Sequence, residues 1–258
     1  VHTFLHSTFE LARRRKWVVV NPASDAQVPS VHRREPSPAP AGAIGNLFAA
    51  AQHVGGADLV AYLRVSVAAG GRRSEIHGLR WSGVDWDHNR ILLRDVVVPA
   101  AGGFIIKPRT KTGRPRPVGV GNGTMDLLRR LHARALDIAL ACGAALPAGA
   151  FVFSNDELGA APWNPSTTAR RFTRACVAAG LDPATRLHDL RHLMATHLID
   201  QKVAIPVVSA RLGHAQNSTT LDVYTARLAA SDREAADVME RLLDAAAVGP
   251  AVPDRTSP

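Results

Sequence analysis

The chain is 258 residues long and carries 31 Lys and Arg against 22 Asp and Glu, a formal charge of +9. Its hydrophobic fraction of 46% and charged fraction of 21% exclude wholesale disorder and leave ample chain to bury a core. No apolar run approaches the roughly 18 residues of a membrane span, and the N-terminus has no signal-peptide pattern, so no membrane partner is expected.

Residues 1–20 read as a short amphipathic helix carrying Arg13, Arg14, Arg15 and Lys16, ended at Asn21-Pro22 because Pro removes a backbone donor. The sequence enters this helix directly at Val1, as expected of a piece cut from something longer or of a non-Met start. Residues 23–41 shift to Pro, Ser and the basic pair Arg33-Arg34, the composition of a solvated linker. Helical periodicity then predicts helices over 44–51, 57–69 and 74–79. Residues 91–93 and 96–98 are β-favouring. Residues 104–106 and 116–120 read as a further strand pair, with 107–115 as an exposed loop between them. Helices are predicted over 123–141 and 165–179, a short strand over 151–153, and two helices within 185–212 broken near Pro206. Further helices are expected at 218–227 and 232–246, followed by a frayed tail over 247–258. The expected fold class is mainly α with a small antiparallel β-sheet. Cys142 and Cys176 lie in apolar helical stretches and are expected to be buried thiols, which points to a reducing compartment.

Four lysines leave 27 arginines, and Arg is the planar, bidentate binder of phosphate. A GC-rich genome inflates Ala and Arg together, so charge alone is only a hint of a nucleic-acid partner. The segment His188-Asp189-Leu190-Arg191-His192 is more specific. On a helix His188 and Arg191 share one face, an imidazole beside a guanidinium, while Leu190, Leu193, Met194 and His197 form the buried stripe. The same segment imitates the H-E-x-x-H helix of zinc proteases, but Arg191 sets a fixed positive charge beside the supposed cation. No metal site and no cofactor are therefore expected. Gly70-Gly71-Arg72-Arg73-Ser74-Glu75 is a glycine-hinged helix start from which Arg72 can reach an anion. Lys111 stands on the exposed loop, where a mobile ammonium is a credible proton donor, with Lys107 a nearby rival. Gly213 is placed like a helix C-cap before His214. Of the two tyrosines, Tyr62 lies among apolar residues and reads as core, whereas Tyr224 has polar neighbours.

Arg72 in G-G-R-R-S-E-I, Lys111 in T-K-T-G, the H-D-L-R-H segment, L-G-H at 212–214 and Tyr224 in S-T-T-L-D-V-Y together resemble the tyrosine recombinase, or phage integrase, family. They fall in the family's order and intervals, and the resemblance runs from about Ile44 to about Leu243. The segment 79–85 also looks like the family's approach to its sheet. Two positions depart from the pattern: Gly71, where relatives usually carry an apolar residue, and Gly83, where Asp is common.

The resemblance implies a catalytic domain over 42–246 whose last helix docks on a neighbour, with residues 1–22 as the last helix of a truncated core-binding domain. It implies Tyr224 as nucleophile, Arg72 and Arg191 on the phosphate, Lys111 as acid, His188 as base or acid, and His214 as a further stabiliser. Strand exchange through a 3′-phosphotyrosine would need neither metal nor ATP. The implied partners are double-stranded DNA, three further copies in a homotetramer on two sites, and an accessory DNA-bending or directionality factor. The implied location is the cytoplasm, at the nucleoid. Arg33, Arg34, Arg109, Arg114 and Arg116 are the candidate DNA contacts. The alternative is an idle DNA-binding remnant whose clamp around DNA is gone.

Overall fold

The computed structural model describes residues 2–26, 43–108 and 115–213, and the chain divides into two units between Pro36 and Ser37. Residues 27–41 of the expected linker, the helices expected at 218–227 and 232–246, and the tail lie outside the described residues.

In the first unit α1 spans His2–Arg14, shorter than the helix expected to residue 20. The reason is a left-handed stop at Lys16 (φ 59°). The Trp17 N–H bonds back to the Ala12 carbonyl and the Lys16 N–H to that of Arg13, the paired bonds of a Schellman C-cap. The segment after it folds back on the helix. Asn21 Nδ2 donates to the His6 carbonyl at 3.0 Å, and its Oδ1 accepts from the Ala23 N–H at 3.0 Å.

The second unit begins with α2 (Ala43–Ala69), bent at Gly56, whose φ of 67° breaks the helix between the two segments that periodicity separates. Then come α3 (Arg73–His77), a 3-10 turn (Trp81–Gly83), β1 (Val84–Asp85), β2 (Arg90–Leu93), β3 (Asp95–Ala100), β4 (Gly103–Pro108) and β5 (Arg116–Gly119). Four helices follow: α4 (Asn122–Ala141), α5 (Pro165–Ala178), α6 (Leu187–Asp200) and α7 (Ile205–Leu212). The class is mainly α with small antiparallel sheets, as expected. The strand pairing differs. β4 pairs with β3, Val97 opposite Ile106, while β5 crosses over to β2, Ile91 opposite Val118, giving two sheets in place of one. Residues 151–153 form no strand. Phe151 makes a single bridge to Arg80, whose guanidinium stacks 3.9 Å from the Phe151 ring centroid.

The core sits where α2 crosses α5 and α6. Tyr62 is fully buried there, its ring 5.1 Å from that of Phe153 and 5.8 Å from that of Trp163. A smaller cluster of Met194, Ala195, Val208 and Leu212 locks α6 to α7. α5 starts on Pro165 under Asn164, whose Oδ1 caps the Ser166 and Thr167 amides. Two sequence expectations fail at helix ends. Cys142 is exposed at the end of α4, while Cys176 is buried as expected. His197 is exposed near the end of α6: the following Leu198 and Ile199 still pack against the Met194–Leu212 cluster, so His197 lies off the packed face.

His77 is the one fully buried imidazole among the described residues. Its Nδ1 donates to the Arg73 carbonyl at 2.8 Å, and the Tyr62 and Thr168 hydroxyls lie 3.0 and 3.1 Å from its nitrogens. Burial pushes it down to about 4 from 6.5. A base with a depressed folded-state pKa costs stability as pH falls: the unfolded chain takes up the proton first. Between pH 6.5 and 4 this single group is expected to remove about 3 kcal/mol. Urea melts across that window should show the loss in the wild type and a much flatter profile in His77→Gln. Equal slopes in both would show that His77 is not the titrating group.

Candidate active site

Arg72 is aimed by the turn between α2 and α3. Gly70 adopts φ 56°, a left-handed step that reverses the chain after Ala69, and a side chain there would be strained. A Cβ on Gly71 would come within 2.6 Å of Ile76 Cδ1 and 3.2 Å of Leu93 Cδ1. The departure from the family pattern at Gly71 therefore coincides with a turn that its neighbours already fill. Arg72 is the N-cap of α3. Its backbone N–H donates to Glu75 Oε2 at 2.9 Å and its Nη1 to Oε1 at 3.0 Å. Glu75 is 1% exposed, while 41% of the Arg72 side chain remains exposed.

Arg191 stands on α6. It is 4% exposed, and it donates from Nη1 to the Gly70 carbonyl and from Nη2 to the Leu212 carbonyl, each at 2.7 Å. One guanidinium thus ties the turn before Arg72 to the end of α7. α7 stops at Gly213 in the left-handed conformation (φ 66°, ψ 43°), the C-cap expected of it.

His188 lies in the first turn of α6 and lines, together with Arg72, a cavity of about 500 Å³. Arg73, Ser74, Arg186, Thr173 and the β3 residues Val97 and Val98 complete much of its wall. The His188 ring rests 4.8 Å from that of His192, edge to face. Partial desolvation lowers its pKa below the ordinary histidine value, and the adjoining charges of His192 and Arg191 lower it further, with Asp189 opposing. These effects favour the neutral imidazole, the form able to accept a proton. Guanidiniums beside a neutral imidazole form a pocket matched to an oxyanion that must also exchange a proton.

The structure therefore brings Arg72 and His188 to one cavity and sets Arg191 beneath the turn that carries Arg72. Lys111, His214 and Tyr224 lie outside the described residues, as do Arg33, Arg34, Arg109 and Arg114. Arg116 is the correction. Expected as an exposed DNA contact, it is 8% exposed and donates from Nη2 to Glu75 Oε2 at 2.9 Å and from Nη1 to the Arg211 carbonyl. The strand expected from residue 116 is present, but the DNA-contact reading fails because Arg116, the first residue of β5, points inward in its alternation, as does Val118. Glu75 is the residue that sequence reasoning missed. Its signal was present: an acid three residues after the N-cap is the second half of a capping box. Tyr62 is excluded as a rival nucleophile by complete burial, which also raises its pKa. Among the described residues no three His, Cys, Asp or Glu side chains are grouped to hold a metal ion, and no helix is long and apolar enough to cross a membrane.

Residues 43–231 match the model of the phage integrase family. The tyrosine recombinase XerC 2 of Ralstonia nicotianae is 29% identical over 231 residues, covering 86% of this chain and 58% of its own length. The integrase of Staphylococcus phage L54a is 23% identical over 70% of this chain and 51% of its own. The chain spans between about half and three fifths of the length of these curated relatives. Among solved structures, the Tn1549 transposon integrase in complex with transposon right end DNA superposes with a TM-score of 0.72 at 18% identity, covering 91% of this chain and 78% of that one. The XerH site-specific recombinase bound to palindromic difH substrate gives a TM-score of 0.59 at 19% identity, over 84% and 58% of the two chains.

Proposed function

The chain belongs to the phage integrase family, and from that premise we propose that it is the catalytic part of a site-specific recombinase that breaks and rejoins double-stranded DNA. The observation that carries the reading is the meeting of Arg72 and His188 at one cavity, with Arg191 buried beneath the turn that presents Arg72.

In the proposed reaction the Tyr224 hydroxyl oxygen attacks the scissile phosphorus. The Tyr–O–P bond forms as the P–O5′ bond breaks, leaving a 3′-phosphotyrosine and a 5′-hydroxyl. His188, whose surroundings favour the neutral imidazole, takes the phenolic proton, and Lys111 gives one to the departing 5′-oxygen. Arg72, Arg191 and His214 stabilise the charge that grows on the non-bridging oxygens. One ester replaces another, so a 5′-hydroxyl from a second duplex reverses the step and exchanges strands with no external energy source. Arg33, Arg34, Arg109 and Arg114 supply backbone contacts in this reading. Four protomers on two duplexes, an accessory DNA-bending factor and action at the nucleoid of the cytoplasm complete it.

The test is covalent trapping. A pool of randomised duplexes carrying a nick loses its short 5′-hydroxyl fragment on cleavage, which strands the intermediate. The expected result is a protein–DNA complex that survives hot detergent and forms equally well in chelator. Salt-sensitive binding that never becomes covalent would favour the idle remnant instead.

A further inference from the structure

Arg116 bonds to two segments at once, and both lead to the candidate site. Its Nη2 reaches Glu75 Oε2 at 2.9 Å, and its Nη1 reaches the carbonyl of Arg211 in the last turn of α7. Arg211 in turn donates from Nη2 to the Gly119 carbonyl at 2.9 Å and to the Ala68 carbonyl, joining α7 to β5 and to the end of α2. The carboxylate of Glu75 is shared between two guanidiniums: Oε1 with Arg72 Nη1, and Oε2 with Arg116 Nη2 and the Arg72 backbone N–H.

We infer that Arg116 is a positioning residue, acting through Glu75 to set the direction in which Arg72 faces the cavity. A buried carboxylate beside one arginine favours a two-pronged pair, with both terminal nitrogens turned onto its oxygens. Arg116 occupies Oε2 and leaves Arg72 one side-chain contact with Glu75, through Nη1, so the other nitrogens of that guanidinium stay off the glutamate on a residue that lines the cavity. Glu75 at 1% and Arg116 at 8% exposure are screened from water, which makes this sharing directional and hard to relax. The same side chain tethers the end of α7, so the turn before Arg72 and the approach to Gly213 hold a common reference point. Catalytic groups misplaced by as little as about 1 Å lose about a hundredfold in rate, so a tether of this kind has kinetic consequences without touching DNA. The inference rests on the proposed phosphoryl transfer for its kinetic arm only.

The test compares wild type, Arg116→Lys and Arg116→Met in the full chain by amide hydrogen exchange, and by trapping rate and affinity on the duplex that the wild type selects. Arg116→Lys keeps a positive charge on Glu75 but cannot hold both partners. It should slow covalent trapping at saturating DNA by about tenfold, and Arg116→Met by about a hundredfold. Affinity and its salt dependence should stay unchanged, whereas a lost phosphate contact would weaken binding and reduce the salt slope by about 1. Exchange at the Arg72 amide should quicken by about tenfold in Arg116→Lys while the amides of α4 keep their protection. Equal loss of protection in α4 would reduce Arg116 to a structural role and overturn the inference, as would an unchanged trapping rate with weakened binding. Absence of any wild-type adduct would count against the recombinase reading alone, since the exchange at Arg72 still decides the role of Arg116.

Discussion

Replacing Arg191 with alanine is expected to cost about 3 kcal/mol of stability and to lower the melting temperature by about 10 °C. The substitution leaves the Gly70 and Leu212 carbonyls without the donors that now reach them at 2.7 Å, in a place where the residue is 4% exposed. It also opens a void between the α2–α3 turn and the end of α7. Arg191→Lys should recover part of the loss, because an ammonium can reach one carbonyl but lacks the planar fork that spans both. Thermal melts of the three proteins check this. A melting temperature unchanged in Arg191→Ala would show that the turn does not depend on the tie. In the proposed chemistry the same residue acts on phosphate, so trapping should fall further in both variants than the melts account for. Stability and activity should separate most clearly in Arg191→Lys.

The helices were legible because each carries its own marks. Asn164-Pro165 announces the start of α5, Gly213 the end of α7, and the apolar stripe of α6 shows which face turns inward. The strands were legible as strands but not as partners. Residues 104–106 and 116–119 are both β-favouring, yet the hairpin register joins the first to β3, and β5 fits beside β2. Pairing is a long-range choice settled by packing, and local pattern carries little of it. His197 fits the spacing of the α6 stripe, yet Leu198 and Ile199 make the packing contacts in that last turn and leave it in water.

At the site, motif order and chemical type single out the reacting groups, and of these Arg72 and His188 share a cavity. The groups that hold them were not found. Arg116 heads an expected strand, but the sequence does not display which face of that strand is buried once the pairing is unknown. Glu75 stands three residues after Arg72 in the sequence, where local pattern offers it a capping role and no more. Its place becomes intelligible only when Arg116 is seen to divide it with Arg72. Sequence reading favours the groups that react over those that aim them, because reactive groups have distinctive chemistry and aiming groups have only geometry.

The second large expected effect is at Tyr224. The chain has two tyrosines, and Tyr62 is sealed in the core with its pKa raised by burial. Tyr224→Phe removes one oxygen and little volume, so folding should be unaffected. Trapping should fall by at least about ten-thousand-fold, since no other group takes over as nucleophile. DNA affinity should persist, because the phosphate contacts remain.

The most direct measurement is to trap the covalent complex, digest it, and identify by mass spectrometry the residue that bears the DNA. A phosphotyrosyl linkage on Tyr224 is expected in the wild type, and no adduct in Tyr224→Phe. An adduct that persists in Tyr224→Phe, or a linkage mapped to any other residue, would contradict this expectation.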